Sequence, residues 1–255
     1  MSSARKLSIV AVGAHVDDHW YGMGGTLLKA ARNGHRVTVI QAVSTYCSWP
    51  VVKGREAEIK PHVQRISQET GIAVVPLGFD YLRLVNGPEL TGQLAAAITA
   101  AEPDLLFCPW EEDANQDHAA LGAAARVAGM HAPCFLPADK RVKLPSQILQ
   151  YALDLNARSF RPDNFVDTSE VLFDMLQFNN VFDELYSKSP LWPNALRRAT
   201  ITDHQQQDRT ITVHAQSEFI HARSVVRGIQ CGVRYAEGFA AYKGAAASAN
   251  LLASI

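Results

Sequence analysis

The chain reads as an α/β protein: a doubly wound, mostly parallel sheet with helices on both faces. Three observations predict this. Short β-rich runs alternate with helical patterns at the spacing of βαβ units. Glycines close the first two helical patterns. Right-handed crossovers then leave a doubly wound sheet as the simplest topology, with its ligand site beyond the carboxyl ends of the strands.

The elements follow in order. Leu7 to Gly13 (Leu-Ser-Ile-Val-Ala-Val-Gly) reads as a buried strand. Thr26 to Asn33 reads as a helix stopped by Gly34, and Arg36 to Val43 as the second strand. Glu56 to Thr70 is helical and ends at Gly71; Ala73 to Leu77 is the third strand. Gly92 to Ala101 is an Ala-rich helix, Asp104 to Trp110 the fourth strand, and Ala119 to Gly129 the fourth helix. After Pro133 the pattern loosens. Gln147 to Leu153 is a candidate fifth strand. Helical periodicity runs from Thr168 to Tyr186 and again from Val213 to Val226. No linker rich in Pro, Gly or Ser separates the halves, so residues 1–255 are expected to form one domain. Residues 1–132 would be its core βαβ half and 133–255 its completion. The Ala-rich tail from Gly244 is either a frayed end or an element packed on a neighbouring subunit.

Composition excludes several classes. Hydrophobic residues make up 47% and charged residues 19%, too apolar and too weakly charged for a disordered chain. Lys+Arg number 24 against 25 Asp+Glu, so the basic excess of a nucleic-acid binder is missing. Cys47, Cys108, Cys134 and Cys231 include no C-x-x-C pair, which argues against a disulfide framework or a thiolate zinc knot. The apolar run Leu7 to Ala14 is too short and too polar-ended for the core of a signal peptide. No stretch approaches the ~20 apolar residues of a membrane span. A cytoplasmic protein is the expectation.

Chemistry concentrates in two places. His15, Asp17, Asp18 and His19 crowd four ionisable groups into five residues just beyond the first strand. Like charges repel and buried carboxylates are costly, so a packed loop gains nothing from this arrangement unless a cation offsets it. Imidazole and carboxylate suit zinc, and three protein ligands plus a water make a catalytic site. His15 and Asp18 can converge on one ion, leaving Asp17 to face the bound water. The second cluster, Pro109 to His118, follows the fourth strand, a neighbour of the first in a doubly wound sheet. His118 is the natural third ligand.

With both clusters read, the sequence resembles a known family. Ala14-His-Val-Asp-Asp-His19 is similar to the Ala-His-Pro-Asp-Asp-Glu motif of the PIG-L/LmbE-like zinc-dependent N-acetylglucosaminyl de-N-acetylases. Asn115-Gln-Asp-His118 stands where that family has His-Pro-Asp-His. Gly24-Gly-Thr26, Pro103 to Trp110, Phe165-Val-Asp167 and Gly232 to Phe239 match as well, so the resemblance runs from about Leu7 to Phe239. It implies a Rossmann-like fold and one zinc ion per chain held by His15, Asp18 and His118. It also implies Asp17 as general base and Arg55 as a substrate-binding arginine. The implied reaction removes an N-acetyl or other N-acyl group from an amino sugar or glycoconjugate, in a chain expected to form homo-oligomers. The alternative is a catalytically silent metal- or sugar-binding member of the same fold.

This chain departs from the family pattern in four places. Val16 replaces the motif's proline. His19 replaces its glutamate and becomes a candidate neighbour of the ligands, competing with Asp17 as proton donor. Leu176-Gln-Phe-Asn179 stands where many relatives have a His-Ser-Gln pattern. Asn115 replaces the imidazole that, in the family, is thought to stabilise the oxyanion or protonate the leaving amine. Asn115 can donate a hydrogen bond to an oxyanion but delivers no proton, so Asp17 is expected to return the proton it takes. Asp117 is, with His19, a candidate neighbour of the ligands, but loses the imidazole it would orient. Among weaker signals, Asp80 is a candidate for a sugar hydroxyl or a turn, and Tyr46, Trp49 and Trp110 for an apolar wall. Gly22 to Gly25 reads as a helix-entry turn, His214 and His221 as exposed or capping residues. Glu237 could lie near the site or at a subunit contact.

Overall fold

The computed structural model describes residues 5–153, 157, 159–189, 196–203, 205–242 and 251–255. Most of the Ala-rich tail lies outside them. Seven strands form the main sheet: β1 (Ser8–Gly13), β2 (Arg36–Thr45), β3 (Ala73–Asp80), β4 (Leu105–Pro109), β5 (Gln147–Tyr151), β6 (Asn164–Asp167) and β9 (Ala236–Ala241). Their order across the sheet is β3-β2-β1-β4-β5-β9-β6. β1 pairs in parallel with β2 and β4, as do β2 with β3 and β4 with β5. β9 runs antiparallel to both β5 and β6. The predicted parallel core is therefore present, and β1 and β4 are neighbours at the point where the strand order reverses. That is where an open α/β sheet opens a crevice at its carboxyl edge.

β1 and β4 are buried at every position, as strands covered on both faces must be. β3 is the sheet edge, and Val75 on it is exposed. The helices are α1 (Asp18–Arg32), α2 (Ile59–Thr70), α3 (Pro88–Ala101), α4 (Gln116–His131), α5 (Leu172–Ser187) and α6 (Ala215–Cys231). β7 (Leu196–Thr202) and β8 (Asp208–His214) form a separate antiparallel hairpin that leads directly into α6.

Several boundaries differ from expectation. α1 begins at Asp18 rather than Thr26, running through the glycines that read as breakers. Gly22 to Gly25 is a kink inside α1, where Met23 leaves helical geometry (φ −154°, ψ 26°). It is not a turn beside the ligand loop. A Cβ on Gly22 would stand 2.3 Å from the Tyr151 ring, so the small residue lets β5 and α1 meet. The amides exposed by the kink, Gly25 N and Thr26 N, donate to the buried carboxylate of Glu237 at 2.8 and 2.7 Å. Glu237 thus caps the second half of α1. α6 begins at Ala215 and is capped by His214, whose Nδ1 accepts from Gln216 N; His221 is packed on Tyr235.

Candidate metal centre

His15 leaves β1, and Asp18 is the first residue of α1 three positions later. His118 lies in the first turn of α4, just beyond β4. Asn115 fixes where α4 starts: it is the N-cap residue, and its Oδ1 accepts from Asp117 N at 2.9 Å. Gly122 lets the same helix press onto the end of β4, for a Cβ there would stand 2.3 Å from Pro109 O.

Three ligand-type atoms converge. His15 Nδ1 lies 3.5 Å from Asp18 Oδ1 and 3.2 Å from His118 Nε2, and His118 Nε2 lies 3.2 Å from Asp18 Oδ1. Donors bonded to one zinc at ~2.0–2.1 Å in a tetrahedron stand ~3.3–3.4 Å apart, so the triangle fits that ion. Each imidazole directs its other nitrogen at a carboxylate. His15 Nε2 is 3.1 Å from Asp117 Oδ2, and His118 Nδ1 is 3.2 Å from Asp113 Oδ1, though not aligned as a hydrogen bond. Such partners select the tautomer that turns the ligand nitrogen inward. Asp117, expected beside the ligands, therefore orients His15. Its carboxylate also accepts from Leu82 N (2.7 Å) and Leu84 N (3.1 Å), pinning the turn after β3, where Leu82 adopts φ 56°. Asp18 Oδ2 accepts from His15 N at 2.8 Å and so closes the ligand loop.

The electrostatics favour cationic occupants. Burial opposes protonation of His15, but Asp18, with hydrogen bonds to Asp117 and Asp18, raises its pKa to about 9. Burial likewise opposes it at His118, where Asp18 and Asp113 raise the value to about 10. Burial alone would raise the Asp18 carboxyl; His118 and His15 outweigh it and hold the group well below the usual range. His15 Nδ1 and His118 Nε2 face each other, so both cannot carry a proton at those atoms at once.

Asp17 stands beside this triangle. Its pKa is raised, first by burial and then by the charge of Asp18, while a hydrogen bond from Tyr186 and the charge of His15 oppose the rise. Tyr186 Oη donates to Asp17 Oδ2. His19 is buried with its Nδ1 lacking a hydrogen-bond partner among the described residues, and burial lowers its pKa to about 4. It is a neutral ring packed near Trp20, below the ligand loop.

Arg55 has three partners in the fold. Its guanidinium donates to Val51 O, Leu185 O and Glu58, tying the segment after β2 to the end of α5. Asp80 is exposed at the end of β3 and its carbonyl accepts from Arg83 N, so it sits in a turn. The aromatic wall is partly as expected. Tyr46 and Trp49 pack together, but Trp110 packs against Phe160 instead. The wall is completed by Tyr81, 5.1 Å from the His15 ring, and Tyr186, 5.5 Å from Trp49. Neither was singled out from the sequence, because an isolated tyrosine at a strand end or in an amphipathic helix looks like core.

Residues 10–129, from β1 to α4, match the family model described as PIG-L: GlcNAc-PI de-N-acetylase. Over this stretch the chain is similar to a PIG-L domain. It contains His15, Asp17, Asp18, Asp117 and His118. Three solved structures share the fold of this stretch and of the strands that follow it. The conserved protein TT1542 from Thermus thermophilus is 22% identical, with TM-score 0.73 over 96% of this chain and 98% of its own. N,N'-diacetylchitobiose deacetylase from Pyrococcus horikoshii is 18% identical, with TM-score 0.71 over 92% and 84%. GalB, the 4-carboxy-2-hydroxymuconate hydratase from Pseudomonas putida, is 15% identical, with TM-score 0.72 over 96% and 99%. Among the described residues no helix is long and apolar enough to cross a membrane.

Proposed function

We propose that this protein is a zinc-dependent amidohydrolase that removes an N-acetyl, or other N-acyl, group from an amino sugar or glycoconjugate. The observation that carries the proposal is the triangle of His15 Nδ1, Asp18 Oδ1 and His118 Nε2, with the Asp17 carboxylate beside it. His15, Asp18 and His118 would hold the ion, one per chain. When bound, it supplies Lewis acidity and lowers the pKa of a coordinated water. Asp117 keeps His15 in the ligating tautomer, and Asp113 sets a negative charge beside Nδ1 of His118. Asp17, half-buried and raised in pKa, accepts the proton of the attacking water and returns it to the departing amine. One carboxylate serves twice because Asn115 cannot protonate and His19 is a neutral, buried ring. With Oδ1 of Asn115 committed to the α4 cap, its Nδ2 is the group that would donate to the oxyanion. The match to the de-N-acetylase family model and the fold shared with a chitobiose deacetylase support this reading. The same reading takes the chain as one domain that acts in a homo-oligomer.

The test is acetate release from N-acetylated amino-sugar conjugates, with zinc measured in the same sample. Asp17→Ala should keep the metal and lose turnover by ~10²–10⁴-fold, whereas His118→Ala should lose the metal. Zinc-loaded protein that binds such conjugates without cleaving them would leave a silent binding protein. Asn115 favours a second reading. Adding water to a carbon–carbon double bond expels no amine, and the fold is shared with a hydratase. Incubation with unsaturated carboxylates separates the two: hydration yields one product, heavier by water, and no acetate.

A further inference from the structure

We propose that Tyr186 is a positioning residue for Asp17: its phenol holds the carboxylate beside the metal triangle and dictates which oxygen handles the proton. Asp17 is the N-cap residue of α1, a position where an aspartate ordinarily accepts from the second or third helical amide. Here its side chain makes no capping hydrogen bond, and the backbone (φ −110°, ψ −17°) departs from the usual extended cap. Oδ2 is taken instead by Tyr186 Oη, from a residue 169 positions away. The helix start thus forgoes its cap, and the carboxylate is committed to a buried phenol.

That phenol is itself fixed. Tyr186 is 1% exposed near the end of α5, edge-on to Trp49 and stacked on Phe182. The preceding carbonyl, Leu185 O, accepts from Arg55 at 2.9 Å, and Arg55 also binds Val51 O. Arg55 therefore clamps the Tyr186 turn to the segment that carries Trp49. With Oδ2 held, Oδ1 is the oxygen left to exchange a proton with substrate. The kinetic part of this inference rests on the proposed hydrolase; the positional part does not.

The experiment is a crystal structure of zinc-loaded Tyr186→Phe together with its kinetics and metal content. The ring and its packing remain, so one zinc per chain and an ordinary melting curve are expected. The Asp17 carboxylate should leave its wild-type position by about 1 Å or more, and kcat should fall ~100-fold while KM stays within about threefold. Replacing Tyr186 with 4-aminophenylalanine, which keeps the ring, its reach and a hydrogen-bond donor, should return the carboxylate to its place and recover most of kcat. It also answers the question if the phenylalanine variant does not fold. An unmoved Asp17 in Tyr186→Phe, or kcat within twofold of wild type, overturns the proposal. If wild-type protein releases no acetate, the hydrolase reading fails while the crystallographic comparison still decides the role of Tyr186.

Discussion

Free of metal, this protein should lose stability as pH rises, the reverse of what loading the proposed site with zinc should do. The prediction follows from His15 and His118, whose pKa values are raised to about 9 and about 10 by buried carboxylates. The two ligand nitrogens are 3.2 Å apart, so only one extra proton is counted. A group raised from 6.5 to about 9 contributes stability that is fully present below pH 6.5 and is lost as pH climbs through 9. The shift corresponds to ~3 kcal/mol at 1.36 kcal/mol per unit. At pH 7.5 such a ring is about 97% protonated, against about 9% for an ordinary imidazole. In the loaded protein the sign reverses, because each pH unit below 9 makes the proton about tenfold harder for zinc to displace. The assay is urea unfolding at pH 6.5, 7.5 and 8.5 with chelator or with saturating zinc, alongside nitrogen NMR of the histidines. Metal-free stability that is flat or rising over this window, with both rings neutral at pH 7.5, would refute the reasoning.

Three further outcomes are expected. Asp117→Asn weakens the acceptor for His15 Nε2 and for two backbone amides, so zinc affinity should drop ~10–100-fold in chelator competition. Arg55→Ala should cost about 1–3 kcal/mol in denaturant unfolding and lower kcat more than it raises KM. A large rise in KM alone would restore Arg55 as a substrate ligand. Gly122→Ala should destabilise by about 1–3 kcal/mol, because its Cβ would meet Pro109 O at 2.3 Å; unchanged unfolding would show that α4 can slide.

Much of the fold was legible where burial is two-sided. β1, β2 and β4 announce themselves as apolar runs, and Gly71 ends α2 in the left-handed conformation a glycine accepts readily (φ 72°). The start of α1 was hidden because Gly22, Gly24 and Gly25 look like breakers until the Glu237 carboxylate is seen at the kink. β6 and β9 are short, and their pairing depends on partners about 70 residues apart, such as Val166 and Glu237 at one end of the ladder, where the register runs antiparallel. β7 and β8 carry Thr, Arg and Asp on exposed positions, which dilutes their alternation. At the site, the triangle itself was readable, since two clusters of ligand-type residues follow neighbouring strands. The supports were not. Spacing alone does not mark Asp113 among its acidic neighbours, pair Asp117 with His15, or show that Arg55 bridges Val51 O and Leu185 O. In each case the missing information was the partner across the fold, which local spacing does not carry.

Glu237 links the last strand of the main sheet to the helix that begins with Asp18. A nascent chain holds all three proposed metal ligands once α4 has left the ribosome. Yet the amides at the bend of α1 then have no carboxylate to receive them. On the proposed reading, maturation of the centre should wait on translation of a segment more than 200 residues downstream, and a protein truncated before β9 should acquire zinc poorly even with His15, Asp18 and His118 present.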